Sequence, residues 1–276
     1  MKYLAKKNIE LIALISVTTA TSFDLEAAPS LLADAGFGYY NESEGFATVL
    51  DFEQSGGAFV AISGAAHDDF YQFYGNASAS AAIKKLRAQG GGSVDGNLID
   101  EGFYVEEAPD FYTADGIASF SETLAYGGTA VNYNSRYILG FSGTITGNAF
   151  VVITLKHANN PSDMWIFDTP GIYNEVLVSD AYVHGGSPQL FSLTLQSSVN
   201  LNPDNIVPDS GNADFGSTLE VLGIDLRDND TGELLTAETV SGESGSRYEV
   251  IPVPEPAAFF LFGLGGLLGC LRRSRR

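Results

Sequence analysis

The acidic stretch at residues 225–233 carries the side chains best suited to binding a hard cation. Asp225, Asp228 and Asp230 follow one another at short intervals, with Gly232 directly after them. Calcium takes about six to eight oxygen ligands, which carboxylates on a glycine-bent loop can supply. A hairpin turn explains the same residues, because Asn, Asp and Gly tolerate turn dihedrals. The stretch therefore predicts a turn, with calcium binding by the three aspartates as the alternative.

Aromatic side chains offer a second chemistry, the packing of flat rings against sugars. Tyr71 and Tyr74 lie in the densest aromatic cluster of the chain, and Trp165 is its single tryptophan. Exposed rings of this kind pack on sugar faces while polar neighbours bond the hydroxyls. We take these three residues as candidate glycan contacts. Packing in a hydrophobic core is the alternative, above all for Trp165, whose sequence neighbours are apolar.

The sequence contains no recognisable catalytic arrangement. His67, His157 and His184 are far apart in the chain. The patterns of a zinc peptidase, a nucleophile elbow and a phosphate-binding loop are all missing. The acids at residues 101–110 cluster by sequence, but spacing alone cannot set two carboxyls at the separation that a glycosidase needs. We therefore predict no catalytic residue.

The charge of the chain restricts its partners. Residues 23–254 contain 7 basic and 32 acidic residues, a net charge of −25. A surface of this sign disfavours nucleic acid and anionic membranes, and permits divalent cations or neutral polymers. The single cysteine, Cys270, lies in an apolar run near the C-terminus, so residues 23–254 cannot form a disulfide.

Short apolar runs with turn residues between them predict that the chain is mainly β. In the run at residues 190–195, Phe191, Leu193 and Leu195 would share one face and Ser192 and Thr194 the other. This alternation is typical of antiparallel sheets with one solvated face. We expect one domain at residues 23–250, an antiparallel β-sandwich or a jelly roll, with a β-helix as a further alternative.

One helix is predicted in addition, at residues 78–89. The stretch is rich in good helix formers, begins with serine, and is followed by three glycines. Its bases Lys84, Lys85 and Arg87 are nearly half of the positive charge of residues 23–254. They would either complement the helix dipole or hold an acidic polymer.

Both ends of the chain resemble export signals. Residues 1–22 combine a basic start with a short apolar run, which predicts a signal peptide read by the Sec translocon. At the other end, Pro254, Glu255 and Pro256 precede an uncharged run of 15 residues at 257–271. Arg272, Arg273, Arg275 and Arg276 follow it, as the positive-inside rule expects of a cytoplasmic flank. The run is shorter than the ~17–25 residues of a stable membrane span.

This order of residues at 251–276 resembles the PEP-CTERM sorting signal of Gram-negative bacteria. The resemblance implies transient anchoring in the inner membrane, cleavage near the motif by an exosortase, and release to the cell surface or an exopolysaccharide matrix. It implies no activity for the residues before it. We therefore expect a non-enzymatic surface or matrix protein that is structural or binds glycan or calcium. A secreted hydrolase acting on extracellular polysaccharide is the alternative.

Overall fold

The fold of the chain is built from strands. The computed structural model describes residues 29–41, 46–55, 60–67, 72–95, 111–128, 132–158, 162–201 and 209–253. Their strands in chain order are β1 (Ser30–Asn41), β2 (Phe46–Ser55), β3 (Val60–His67), β4 (Gln72–Ala82), β5 (Lys85–Asp95), β6 (Phe111–Gly127), β7 (Asn132–Gly147), β8 (Ala149–His157), β9 (Asp163–Phe167), β10 (Gly171–Val178), β11 (Tyr182–Gly185), β12 (Gln189–Leu201), β13 (Asp209–Asp228), β14 (Thr239–Gly242) and β15 (Arg247–Tyr248).

These strands form two antiparallel sheets that face each other. Sheet A has the order β2-β1-β6-β12-β8-β9, and β14 pairs with the end of β6 and carries β15 at its outer side. Sheet B has the order β3-β4-β5-β13-β7-β10, and β11 pairs with the start of β7. One hydrophobic core contains side chains of both sheets. The prediction of a mainly β, antiparallel sandwich is therefore confirmed.

Alternation along the strands separates this core from the solvent. Phe191, Leu193 and Leu195 of β12 are fully buried between the sheets, whereas Ser192 and Thr194 face outward and are partly exposed. The period of two seen in the sequence is thus the period of the pleat.

The helix predicted at residues 78–89 is wrong, because these residues form the hairpin of β4 and β5. Ala82 pairs with Lys85, so the turn between the strands contains Ile83 and Lys84. Small and apolar side chains at alternate positions face the core: Ala77, Ala79, Ala81, Leu86 and Ala88. Burial on a sheet follows a period of two, and pairing with β3 and β13 outweighs the intrinsic helix propensity of alanine.

Alanines and glycines are needed here because the two sheets approach each other closely. A methyl group at Gly90 would lie 2.5 Å from the carbonyl oxygen of Ala114 and 2.7 Å from that of Ser197. A methyl group at Gly116 would collide with the carbonyl oxygen of Ser78. Ser197 also donates its hydroxyl to the carbonyl of Ala88 across the interface, over 3.2 Å. Backbone therefore packs on backbone in this region.

The signal peptide, and the sorting signal from Pro254 onward, lie outside the described residues. Within the described part of the chain, no helix is long and apolar enough to cross a membrane.

Candidate functional site

A groove of about 650 Å³ opens at one end of the sandwich. Three elements form it: the β4–β5 turn, the middle of β13, and the hairpin of β14 and β15. The hairpin reaches this place because β14 pairs with the last residues of β6, beyond the end of β1. Residues from both sheets therefore line the groove.

Its floor is apolar. Val221 of β13, Val240 of β14 and Tyr248 of β15 line the groove and are at most 4 % exposed. All three also belong to the hydrophobic core. The floor is thus the outer boundary of the core, which fixes the shape of the groove.

Lys84 links the three elements. Its backbone has a φ of 67°, a left-handed conformation that side chains other than glycine rarely adopt. The carbonyl of Lys84 accepts the N–H of Val221 at 2.9 Å. Its ammonium donates to the carbonyl of Arg247 at 3.0 Å and lies 5.1 Å from the ring centre of Tyr248. The ring face attracts the cation electrostatically, so these contacts hold the turn against the hairpin.

The walls carry groups of both hydrogen-bonding types. Glu220, Glu238 and Glu249 supply acceptors, and Arg247 and Thr239 supply donors. Glu238 accepts the hydroxyl of Tyr133 at 3.0 Å. Burial of Tyr133 and this carboxylate together raise the pKa of the tyrosine.

A carboxylate also lies beneath the floor, inside the sandwich. Glu122 of β6 is fully buried, and its carboxylate accepts the hydroxyls of Tyr248 and, at 2.7 Å, of Ser244. Burial and the neighbouring Glu122 raise the pKa of Tyr248 well above its usual value. Tyr248 therefore remains a neutral donor that keeps its ring fixed under the groove.

Two of the histidines that are separated in sequence meet in the same interior. The ring centres of His157 and His184 are 5.2 Å apart. His184 donates from Nδ1 to the carbonyl of Gly185 at 2.9 Å, so its Nε2 accepts the hydroxyl of Ser135 at 3.3 Å. Burial lowers the pKa of both rings, that of His157 to about 4, with a further contribution from the nearby His184.

Sequence reasoning missed this interior cluster. The signal that could have found it is alternation: His157 follows the buried Ile153 and Leu155 at the same period of two. Glu122 likewise follows the buried Ala118 and Phe120. A polar residue at such a position is expected to be buried and hydrogen-bonded.

The candidate glycan contacts lie apart from one another. Trp165 is in edge strand β9 of sheet A, partly buried against the core, beside Met164 and Ile166, which are exposed. Tyr74 is in β4 of sheet B and is 47 % exposed on the outer face. Tyr71 lies outside the described residues. A glycan contact at any of the three stays a prediction.

The structure places the first candidate calcium ligand, Asp225, on the outer face of sheet B, where it is buried. Both of its oxygens bond Arg227, at 2.8 Å to Nε and 3.2 Å to Nη2. One oxygen also accepts the N–H of Val253 at 2.9 Å. Asp225 thus joins β13 to the C-terminal end of the described chain.

Asp228 and Asp230 lie in the turn that follows β13. One oxygen of Asp228 accepts the N–H groups of Asp230 at 2.9 Å and Thr231 at 2.8 Å, and the bonds from Thr231 lower the pKa of Asp228. Gly232 closes the turn with a φ of 73°. No three Asp, Glu, His or Cys side chains of the described residues group as a metal site requires. Calcium binding by this loop stays a prediction.

The C-terminal end of the described chain is held against β13. Ile224 donates its N–H to the backbone carbonyl of Glu249 at 2.9 Å, and Ile251 donates its N–H to the backbone carbonyl of Ile224 at 3.0 Å. With the bond from Val253 to Asp225, the backbone is fixed up to the residue before the Pro-Glu-Pro triplet. Residues 252–276 match the family described as "PEP-CTERM protein-sorting motif".

The chain ends in a PEP-CTERM sorting motif. The resemblance of the tail is therefore confirmed, and the motif implies export and a C-terminal membrane anchor before processing by an exosortase.

No curated protein matches the chain. A solved structure, "Structure of TmCBM61 in complex with beta-1,4-galactotriose", aligns with 58 % of this chain and 88 % of its own, at 8 % identity and a TM-score of 0.20.

Proposed function

We propose that the protein is a non-enzymatic, glycan-binding component of the cell surface or exopolysaccharide matrix, and that the groove above Tyr248 holds the glycan. The observation that carries the proposal is the groove itself. Its volume of about 650 Å³ is in the range of small-ligand sites. It combines a fixed apolar floor with donors and acceptors on the walls.

This composition suits a sugar. Sugar hydroxyls both donate and accept, so they need carboxylates such as Glu249 together with donors such as Arg247 and Thr239. Leu222, which lines the groove above the buried floor and is 41 % exposed, offers apolar surface to the carbon–hydrogen face of the ring. Because Glu122 accepts the hydroxyl of Tyr248 and Lys84 lies over its ring, little conformational entropy of this floor residue remains to be lost when a ligand binds.

The test is binding of the purified full chain to a panel of extracellular polysaccharides, measured by calorimetry. Glu249→Gln and Thr239→Ala change exposed groove side chains and leave the core intact. Both should weaken binding by about tenfold, the effect of one lost hydrogen bond to a charged or polar group. The matched control is Glu175→Gln, an exposed glutamate in β10 that does not line the groove. Equal affinities for all four proteins would contradict the proposed site.

A secreted polysaccharide hydrolase is the second candidate, because three glutamates line the same groove. Hydrolysis needs a general acid and a second carboxylate. Release of reducing ends from a polysaccharide that the full chain binds would favour this candidate. Loss of that release in both Glu220→Gln and Glu249→Gln would assign it to the groove.

A further inference from the structure

Positive charge is concentrated at one corner of this acidic protein. Residues 23–254 contain seven bases, and four of them lie together: Lys84, Lys85, Arg87 and Arg247. We call these four residues the basic patch. Lys84 and Arg247 line the groove and touch each other. Lys85 and Arg87 continue from the turn along the outer face of β5, two residues and therefore about 6.8 Å apart.

The basic patch is not used in ion pairs within the described part of the chain. The pair formed there is Arg227 with Asp225, on another part of sheet B. Glu220 of β13 lies opposite Lys85 in the strand register, and other carboxylates line the groove beside Lys84 and Arg247. No ion pair joins these groups within the described residues, so the basic side chains there can still attract an anion.

The helix-dipole explanation for these bases no longer applies. Lysines at the end of a helix would complement its dipole, but residues 78–89 form a hairpin, which has almost no dipole. Lys84 also occupies the left-handed position of the turn, where glycine would cost less. Surrounding contacts hold this strained residue in place, a pattern that is concentrated at binding sites.

We infer that the basic patch binds the carboxylate or sulfate groups of an acidic polysaccharide whose chain enters the groove. This rests on the proposed function and names its ligand class. Glu220, Glu238 and Glu249 alternate with the bases around the groove, so the ligand must present anions separated by neutral hydroxyls. An acidic polysaccharide does so. Nucleic acid carries a charge every 1.7 Å or so, a spacing too dense to leave neutral groups opposite the groove carboxylates.

The experiment compares two polymers with the same sugar backbone, whose carboxyl groups are charged in one and methyl-esterified in the other. Polygalacturonate and its fully methyl-esterified form are titrated into the full chain, with a chelator present to exclude cation bridges and at several salt concentrations. Single-stranded DNA is the third polymer. The variants are Lys85→Ala/Arg87→Ala, which leaves the groove lining intact, and Arg247→Ala. Lys156→Ala, an exposed lysine of β8 in sheet A, is the matched control. Unfolding midpoints verify that each variant is folded.

The inference is supported if polygalacturonate binds about tenfold more tightly than the ester. Salt should weaken this binding, and both patch variants should weaken it by about tenfold, whereas Lys156→Ala should not. Equal affinity for acid and ester, unchanged affinity in the patch variants, or equal affinity for DNA would each overturn the inference. If ester or other neutral glycans bind and respond to Glu249→Gln while the patch variants do not matter, the proposed function survives and the inference fails. If no glycan binds, both fail.

Discussion

Glu122 shows how a single polar side chain can order the end of a sandwich. It occupies a core position of β6, and two hydroxyls from the β14–β15 region donate to it. A buried carboxylate is costly unless its oxygens are hydrogen-bonded, and here both are. The groove floor depends on this pairing, because Tyr248 supplies both one of the hydroxyls and the ring below the groove.

Replacing Glu122 should therefore destabilise the protein and open the floor. Glu122→Ala leaves the hydroxyls of Tyr248 and Ser244 without their acceptor, and we expect the unfolding free energy to fall by about 2–4 kcal/mol. Chemical denaturation measures this loss. Glu175→Ala, at an exposed position of β10, should change it by less than about 0.5 kcal/mol. Similar losses in the two variants would show that the buried contacts of Glu122 contribute nothing.

The histidine pair predicts a pH dependence with a defined sign. The pKa of His157 falls from 6.5 to about 4 on folding, so only the unfolded state binds its proton between these values. Its contribution to stability is complete above pH 6.5 and is lost as the pH falls to about 4. Burial raises the pKa of Asp115 from 3.8 to about 6, which favours the folded state at low pH and opposes this slope. Because the two effects oppose each other, the pH dependence of the unfolding free energy of the parent does not by itself reveal the contribution of His157.

The variant His157→Leu isolates the contribution of His157 to this pH dependence. The difference in unfolding free energy between the parent and His157→Leu should be larger at pH 7 than at pH 4, because the variant has no proton to bind. Denaturation at half-unit pH steps measures the difference. Lys156→Ala, at an exposed position of the same strand, should parallel the parent. A His157→Leu curve that also runs parallel to the parent would contradict the lowered pKa.

Substitutions of Asp228 distinguish a role in the turn from a role in calcium binding. Asp228→Asn keeps an oxygen to accept the two N–H groups of the turn, so the melting temperature should change little, whereas Asp228→Ala should lower it. If calcium also binds Asp225, Asp228 and Asp230, the parent melts higher in calcium than in a chelator, and Asp228→Asn loses that shift. Equal midpoints of the parent in the two buffers would leave the loop with its turn role alone.

At the scale of elements, alternation predicted the strands, and local propensity misled at the hairpin of β4 and β5. Ala79 and Ala81 have the highest helix propensity, yet they are small residues on a sheet that packs on another backbone. The turn at Lys84 has a left-handed backbone but no glycine, so the usual sequence signal of such a turn is missing. The groove could not be predicted from the sequence, because Glu122 and Tyr248 are 126 residues apart and no periodicity links them.

Close packing of the sheets yields an element-scale prediction. Gly116→Ala places a methyl group against the carbonyl oxygens of Ser78 and Gln89, and both belong to paired strands that cannot easily move. We expect a loss of about 1–3 kcal/mol in unfolding free energy. Gly171→Ala in edge strand β10 is the control, since its methyl group would only reach the side chain of Tyr173 at 3.9 Å. Equal stabilities of the two variants would mean that the sheets separate without cost.

At the scale of the whole molecule, the described strands are bonded to the backbone that leads into the sorting segment. The backbone is bonded to β13 through Ile251 and Val253, so the Pro-Glu-Pro triplet begins where the fold ends. The groove lies at the same end of the described chain, because Glu249 and Ile251 line it.

The last prediction is that the exported protein has lost both ends while the segment at residues 249–253 stays bound to β13. Mass spectrometry of material released to the cell surface should find no peptides from residues 1–22 or from the arginines at 272–276. Peptides up to about residue 253 should be present, because cleavage near the motif leaves Val253 bonded to Asp225. Asp225→Ala removes that bond and the ion pair with Arg227, so limited proteolysis should then cut the segment at 249–253 much faster than in the parent. Lys156→Ala should digest like the parent, and intact termini in released protein would contradict processing.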